Sequence, residues 1–325
     1  DEHECRRTRN DIIIFMSDDF LLSIIIPVYN EESNITPLLK RLLPIIKKYN
    51  HEIIFVDDGS NDNTTSNIKK QIEKDKNIKL VSFLRNFGHQ MALSAGYDQA
   101  HGDAVISLDA DLQDPPEIIP EMINKWENGA KVVYAKRDKR EYDDYFKRIT
   151  AQVFYKFINF LSDTPIPSDV GDFRLLDKSV VQFLNDLPEH SRFLRGLVSW
   201  GSYTSDFVYF EREKRFKGQT HYGFFKMVNF ALEGITSFSI KPLRIATYLG
   251  ITSGFLGFLG IIYELLMKSL YPQQFVIGWT GLFTAVMFLG GIQLITIGII
   301  GEYVGKIYKE IQRRPKYLIK EKINL

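Results

Sequence analysis

Two long apolar runs near the C-terminus constrain this chain more than any other feature. Ile245 to Met267 is a mostly apolar stretch of 23 residues, and Ile277 to Ile300 is a stretch of 24 without a charged side chain. A helix needs about 20 such residues to cross the hydrocarbon core of a bilayer. A short connection containing Pro272 separates the two runs, so a transmembrane helical hairpin is expected over 245–304. Both outer flanks are basic, with Lys241 and Arg244 before the hairpin and Lys306, Lys309, Arg313, Arg314 and Lys316 after it. Positive charge marks the cytoplasmic side, so the N-terminal part and the basic tail, 305–325, are expected to share the cytoplasm. Lys268, near the connection, is the exception and can snorkel. The alternative is a buried helix pair inside a large soluble core. Gly254, Gly257, Gly260, Gly290, Gly291, Gly298 and Gly301 allow close helix packing, either within the hairpin or at a homo-oligomer seam. Glu264 lies late in the first run and reads as a solvated interfacial group or a functional one.

Composition removes several classes. A quarter of the 325 residues are charged but the net charge is only +1, which gives no sign of a nucleic-acid partner. The single cysteine, Cys5, sits in a polar leader, 1–20, so neither an internal disulfide nor a cysteine nucleophile is expected. The stretch before Met16 lacks the order of a signal peptide and reads as a leader or a non-native extension.

Residues 21–222 read as an α/β domain. Strands are expected at Leu22–Val28, Glu52–Val56, Lys79–Leu84, Ala104–Leu108 and Lys131–Ala135. Helices are expected at Ile35–Lys48, Thr64–Lys74, Gln90–Ala100 and Pro116–Asn128, and a helix-rich stretch at Tyr142–Trp200. This alternation predicts a mostly parallel sheet with helices on both faces. The apolar runs are continuous, as in strands covered on both sides. Phe224–Ile240, within a 223–244 juxtamembrane segment, mixes aromatics with Lys226, Asn229 and Glu233; it reads as an interfacial amphipathic helix or as a packing helix of the soluble domain.

Ligands of such sheets bind at the carboxyl ends of the strands. Three polar clusters fall there: Tyr29-Asn30-Glu31, Asp57-Asp58-Gly59-Ser60 and Asp109-Ala110-Asp111. Two carboxylates separated by one residue at a strand end can hold a hard divalent cation, Mg²⁺ or Mn²⁺, against a diphosphate, and Gln113 is placed to add an amide oxygen. Asp58 can accept from a base N–H or a ribose hydroxyl; the same segment also reads as a turn with helix capping by Ser60 or Asp62.

With those motifs in view, the sequence resembles a family 2 glycosyltransferase of the GT-A fold, in the dolichol-phosphate mannose synthase branch. The matching pieces, in family order, are Pro27-Val28-Tyr29-Asn30-Glu31, Val56-Asp57-Asp58-Gly59-Ser60, Arg85-Asn86-Phe87-Gly88, Asp109 through Glu117, Gly171-Asp172-Phe173-Arg174-Leu175, and Arg215 with Gly218. The hairpin ending in Gly301-Glu302-Tyr303 is similar to the bacterial GtrB-type subgroup that acts on undecaprenyl phosphate. The resemblance implies a bacterial inner-membrane enzyme that moves a hexose from a nucleotide-sugar to a polyisoprenyl phosphate with inversion. UDP-glucose is the leading donor; GDP-mannose and a UDP-aminosugar are the alternatives. It implies a donor pocket at Pro27, Tyr29, Glu31, Val56, Asp58, Asp109 and Ala110, and a metal site at Asp109, Asp111 and Gln113. Asp172 and Asp111 are the implied catalytic residues, with Asp172 taking the acceptor's last proton or orienting an arginine. Arg137, Arg174 and Arg215 are the implied phosphate partners. Where the family often has Gly-x-Ser-Lys, this chain has Gly218-Gln219-Thr220-His221, so Lys217 or His221 would replace the lysine. A processive synthase is disfavoured because its Q-x-x-R-W motif is absent. His89 and His101 draw no role from the sequence.

Overall fold

The computed structural model describes residues 20–137, 170–190, 192–211, 239–270 and 279–325. Arg215, Lys217, His221, most of the 223–244 segment and the leader lie outside the described residues.

The chain opens with β1 (Leu21–Val28), α1 (Ile35–Ile46), β2 (Asn50–Asp57), α2 (Thr64–Ile72), β3 (Ile78–Phe83), α3 (His89–Gln99) and β4 (Ala104–Ser107). A 3₁₀ turn at Pro116–Ile118 leads into α4 (Ile119–Glu127) and β5 (Val132–Arg137). Then come β6 (Val170–Asp177), α5 (Lys178–Asp186), α6 (Leu194–Trp200), β7 (Ser205–Phe210), α7 (Lys241–Leu270), α8 (Trp279–Gln312) and β8 (Ile319–Ile323). Among the described residues these strands form one eight-stranded sheet in the order β7-β5-β6-β4-β1-β2-β3-β8. β3, β2, β1 and β4 are parallel, whereas β6 runs antiparallel to β4 and β5.

Alternation along β1 explains the two-faced core. Leu22, Ile24 and Ile26 point into one layer with α1, α2 and α4, and Ile25 points into the other with α3, α5 and α6. α3 lies so close to the sheet that a Cβ on Gly96 would fall 2.2 Å from Ile25 Cγ2. The five expected strands and four expected helices all form, with small shifts at their ends.

Three strands depart from the expectation. β6 lies inside the stretch expected to be helix-rich, because its Asp172 and Arg174 interrupt the apolar run that would mark a strand. β7 was not anticipated. β8 lies in the expected basic tail and pairs with β3 as an antiparallel edge strand.

α7 and α8 are both long and apolar enough to cross a membrane. Their apolar side chains are exposed, for example Leu270 at 67% and Leu294 at 72%, which argues against a helix pair buried in a soluble core. The Tyr303 hydroxyl donates to the Ser239 carbonyl at 2.6 Å, tying α8 to the residues that lead into α7. A Cβ added at Gly254, Gly257, Gly260, Gly290, Gly291, Gly298 or Gly301 would meet nothing within 4 Å, so close packing inside the pair does not use these glycines.

Asp177 closes β6 and caps α5. It accepts from Ser179 N–H at 3.0 Å and from Trp126 Nε1 at 2.8 Å, and pairs with Lys131 Nζ at 3.0 Å. Burial opposes its charge, but these partners outweigh burial and hold the carboxyl at about 2. The folded value lies below the unfolded one, so this stabilisation is present above about pH 4 and is lost as pH falls towards 2. Asp177→Ala should cost about 1–2 kcal/mol at pH 7 through the lost cap and partners. The thermal-midpoint gap from the native protein should narrow steadily below pH 4.

Candidate active site

The site forms where the parallel strands end. Asp57 ends β2 and Asp58 follows it, and Asp109 and Asp111 follow β4. β6 contributes from the opposite direction. Ser107 pairs with Arg174 in antiparallel register at the end of β4, and Asp172, two residues before Arg174, shares His89 with Asp109. An antiparallel insertion thus delivers a residue from a strand's amino end to the edge where ligands bind.

Asp172 is the hub. Its side chain is 4% exposed and is surrounded by donors. Arg195 of α6 grips it with both arms, Nε to Oδ1 at 3.0 Å and Nη2 to Oδ2 at 2.9 Å. Arg174 Nη2 donates to Oδ1 at 3.2 Å, and Gln90 Nε2 to Oδ2 at 3.4 Å. His89 Nε2 lies 3.3 Å from Asp172 Oδ2 and 3.7 Å from Asp109 Oδ1, bridging the two carboxylates. Burial would raise Asp172, but Arg195 and His89 outweigh it and hold the carboxyl well below its usual range. Burial likewise opposes charge on His89, yet Asp109 and Asp172 lift the imidazole to about 9. Asp109 is raised by burial and by the charges of Asp172 and Asp111, against the pull of His89.

The second cluster is a scaffold of turns. Both oxygens of Asp58 take backbone N–H groups, Phe87 at 2.7 Å and Gly88 at 2.9 Å, so this buried carboxylate shapes the Arg85–Gly88 loop ahead of α3. Asp57 accepts from Ser60 N–H, Thr65 Oγ1 and Ser82 Oγ. Asn30 N–H donates to Ser60 Oγ at 2.9 Å and Asn61 N–H to Asn30 Oδ1 at 2.9 Å, lacing the loops after β1 and β2 together. The expected capping by Ser60 or Asp62 does not form: Asn63 is the N-cap of α2 without a side-chain cap, Asp62 accepts the Thr64 N–H at 3.0 Å in the preceding turn, and Ser60 serves the lacing. Gly59 has φ +73°, and a Cβ there would lie 2.5 Å from the Arg85 carbonyl carbon, so a side chain would push these loops apart.

The residues expected to act sort as follows. Tyr29 is 43% exposed at the rim and Glu31 follows it, anchored by its N–H on Thr64 Oγ1. Pro27, Val56 and Ala110 are buried. Asp111 accepts the Gln113 N–H at 3.1 Å, which folds the loop so that Gln113 is largely buried. Arg137 ends β5 with Nη2 3.8 Å from Asp114 Oδ1, and its buried Nε has no hydrogen-bond partner among the described residues. Arg174, expected on a phosphate, is fully buried and donates to Asp172. Arg195, Gln90 and His89 are the site residues that sequence reasoning did not single out.

A hard cation fits the donor chemistry here. Asp109 and Asp111 offer carboxylate oxygens and Gln113 an amide oxygen. Among the described residues no three His, Cys, Asp or Glu side chains gather as a complete metal site. Mg²⁺ commonly uses one or two carboxylates, water and substrate phosphates, which two aspartates can satisfy.

The family 2 glycosyl transferase domain matches residues 23–184, and the GtrB C-terminal hairpin matches residues 241–307. An uncharacterized glycosyltransferase of Synechocystis is 46% identical over 304 residues, covering 92% of this chain and 95% of its own. The chain belongs to glycosyltransferase family 2. Within the family it is similar to a prophage bactoprenol glucosyl transferase homolog of Escherichia coli, 44% identical over 92% of this chain and 98% of that one. The bactoprenol glucosyl transferase of Shigella phage SfII is also 44% identical, over 92% of this chain and 97% of its own. The protein is therefore a glycosyltransferase with a membrane-associating hairpin.

In this glycosyltransferase, removing the Asp172 charge leaves Arg174 buried without its counter-ion. Breaking such a pair costs about 3–5 kcal/mol. Asp172→Asn should therefore lower the thermal midpoint markedly, whereas Asp111→Asn should leave it nearly unchanged. Equal midpoints for the two variants would contradict the hub.

Proposed function

We propose that this protein transfers glucose from UDP-glucose to undecaprenyl phosphate, with inversion, yielding undecaprenyl-phosphate-glucose and UDP. The observation that carries this reading is the near full-length similarity to bactoprenol glucosyl transferases, which runs through the hairpin as well as the catalytic domain. Basic residues on the outer flanks of both apolar helices support a bacterial inner-membrane protein with its catalytic domain in the cytoplasm.

The chemistry asks for little acid–base work. The acceptor is a phosphate monoester that is largely ionised near neutral pH. One of its oxygens attacks the anomeric carbon as the bond to the UDP oxygen breaks, and the electron pair leaves with UDP. Asp109, Asp111 and Gln113 would hold Mg²⁺ or Mn²⁺, which would supply charge neutralisation for the departing diphosphate. Tyr29, Glu31 and the loop shaped by Asp58 border the nucleotide. Arg195 and His89 present positive charge beside the metal residues, where two polyanions must meet. Guanidinium forks suit that task. Asp172 acts by orienting Arg195, His89 and Arg174. Its carboxylate is already engaged by three cationic side chains and an amide, which disfavours a role as base. Arg137 lies at the same edge as a phosphate partner.

The test is direct. Purified protein with Mg²⁺ and undecaprenyl phosphate receives labelled UDP-glucose, GDP-mannose or a UDP-aminosugar in turn, and label in the organic phase is counted. Label from UDP-glucose alone is expected, and EDTA should abolish it. Label only from another donor would overturn the choice of sugar, and none from any donor would overturn the reaction. Asp111→Asn can keep the Gln113 backbone hydrogen bond but removes the anionic ligand, so transfer should fall by about two orders of magnitude or more.

A further inference from the structure

The chain leaving α8 grips the catalytic domain at two places. Glu310, within the last turn of α8, accepts the backbone N–H of His190 on both carboxylate oxygens, at 3.1 and 3.0 Å. His190 lies in the loop between α5 and α6, and α6 begins with Leu194 and carries Arg195. Leu194 N–H donates to Gln90 Oε1 at 3.1 Å, so the start of α6 is also tied to the start of α3.

The second grip follows seven residues on. Tyr317 stacks on Phe83 at 4.9 Å with 14° between the rings, and its hydroxyl donates to Asp98 Oδ2 at 2.6 Å. β8 then completes the sheet beside β3. Lys322 Nζ donates to Gln99 Oε1 at 2.8 Å, and Glu321 pairs with Lys69 at 2.6 Å. Asp98 and Gln99 end α3, the helix whose first two residues, His89 and Gln90, reach Asp172. The chain leaving the membrane hairpin therefore ties to α3 and to the loop that leads into α6, and these two helices carry His89, Gln90 and Arg195, three of the partners of Asp172.

The link between the helix and the second grip is short. Arg313, Arg314, Pro315 and Lys316 span at most about 14 Å, and Pro315 restricts them further. A phosphate on a membrane lipid sits at a fixed depth near the headgroups. A catalytic domain on a loose linker would sample many heights and orientations, and misplaced reactants lose rate steeply. We propose that the segment from Glu310 to Ile323 is a rigid internal dock that holds the acceptor side of the site at the membrane surface, with Glu310 and Tyr317 as positioning residues. It rests on the lipid-phosphate acceptor proposed above.

A purely structural role, capping the open edge of β3, would reduce activity towards every acceptor equally. The dock requires a selective loss. The full chain, reconstituted in bilayer nanodiscs, is assayed as native protein, as Tyr317→Phe, as Glu310→Gln and as the double variant. Each receives UDP-glucose and Mg²⁺ with either undecaprenyl phosphate in the bilayer or a short water-soluble isoprenyl phosphate. Tyr317→Phe retains the ring stack, and Glu310→Gln retains one acceptor oxygen, so folding is spared. The double variant should lose about tenfold in turnover on the bilayer acceptor, with UDP-glucose affinity and turnover on the soluble acceptor within about twofold of native. Equal loss on both acceptors, or no loss on either, overturns the proposal. Amide hydrogen exchange supplies a readout that does not depend on the reaction: exchange should quicken across 192–200 and 80–83 in the double variant. Unchanged exchange there overturns the dock even where the native protein transfers no glucose, and the absence of native transfer by itself counts against the functional reading alone.

Discussion

The buried charge on Asp172 is the constraint around which the site is built. A carboxylate with 4% exposure is costly unless it is paired and hydrogen-bonded. This chain pairs it three times, with Arg195, Arg174 and His89, and adds the Gln90 amide. Those partners come from three elements: α6, β6 itself and the start of α3. The carboxylate thus holds helices on the sheet as well as charges in the site. Arg174 is fully buried and Asp172 is its hydrogen-bonded counter-ion among the described residues, so it depends on Asp172 as much as Asp172 depends on Arg195.

This arrangement also sets the polarity of the site. His89 stands between Asp109 and Asp172, with Nε2 3.7 Å from the first carboxylate and 3.3 Å from the second. Without His89, two carboxylates would face each other across the strands. With it, the acidic half of the site, Asp109 and Asp111, meets a basic half formed by His89 and Arg195. A divalent cation and a diphosphate complement the first, and an anionic nucleophile complements the second. The enzyme's task is to bring two like-charged reactants together, and alternating charge across one sheet edge is a direct way to do that.

The sequence made the parallel half of the fold legible and left the antiparallel half obscure, for a physical reason. β1 to β4 are covered on both faces, so they read as unbroken apolar runs that break at polar clusters. β6 is just as buried but carries Asp172 and Arg174, and its charges are tolerable only because they neutralise each other and meet partners from elsewhere. β8 is a five-residue edge strand, Ile-Lys-Glu-Lys-Ile, whose alternation in a basic tail resembles solvated chain until β3 is seen beside it. Asp109, Asp111, Asp172 and Asp58 could be picked out because each sits in a local motif. His89 and Arg195 could not, because what marks them is distance to Asp172, and that is a property of the folded sheet. The placement of the adjacent Arg85–Gly88 motif at the head of α3 was the nearest available signal for His89.

A lipid phosphate also explains why so much of this machinery is positional. An ionised phosphate needs no base to become a nucleophile, so little is gained by freeing Asp172 to accept a proton. Binding it tightly to Arg195 instead fixes the cation that a phosphate would meet. The difficult part is then geometric, since one substrate diffuses in water and the other is confined to a plane. A domain held against that plane has to be attached by more than a single flexible strand of chain. The ties run from α8 to the His190 loop, which leads into the helix of Arg195, and from Tyr317 and β8 to β3 and to α3, which carries His89 and Gln90. The membrane anchor and the charge cluster are therefore parts of one mechanical unit, and a change in one should be felt in the other.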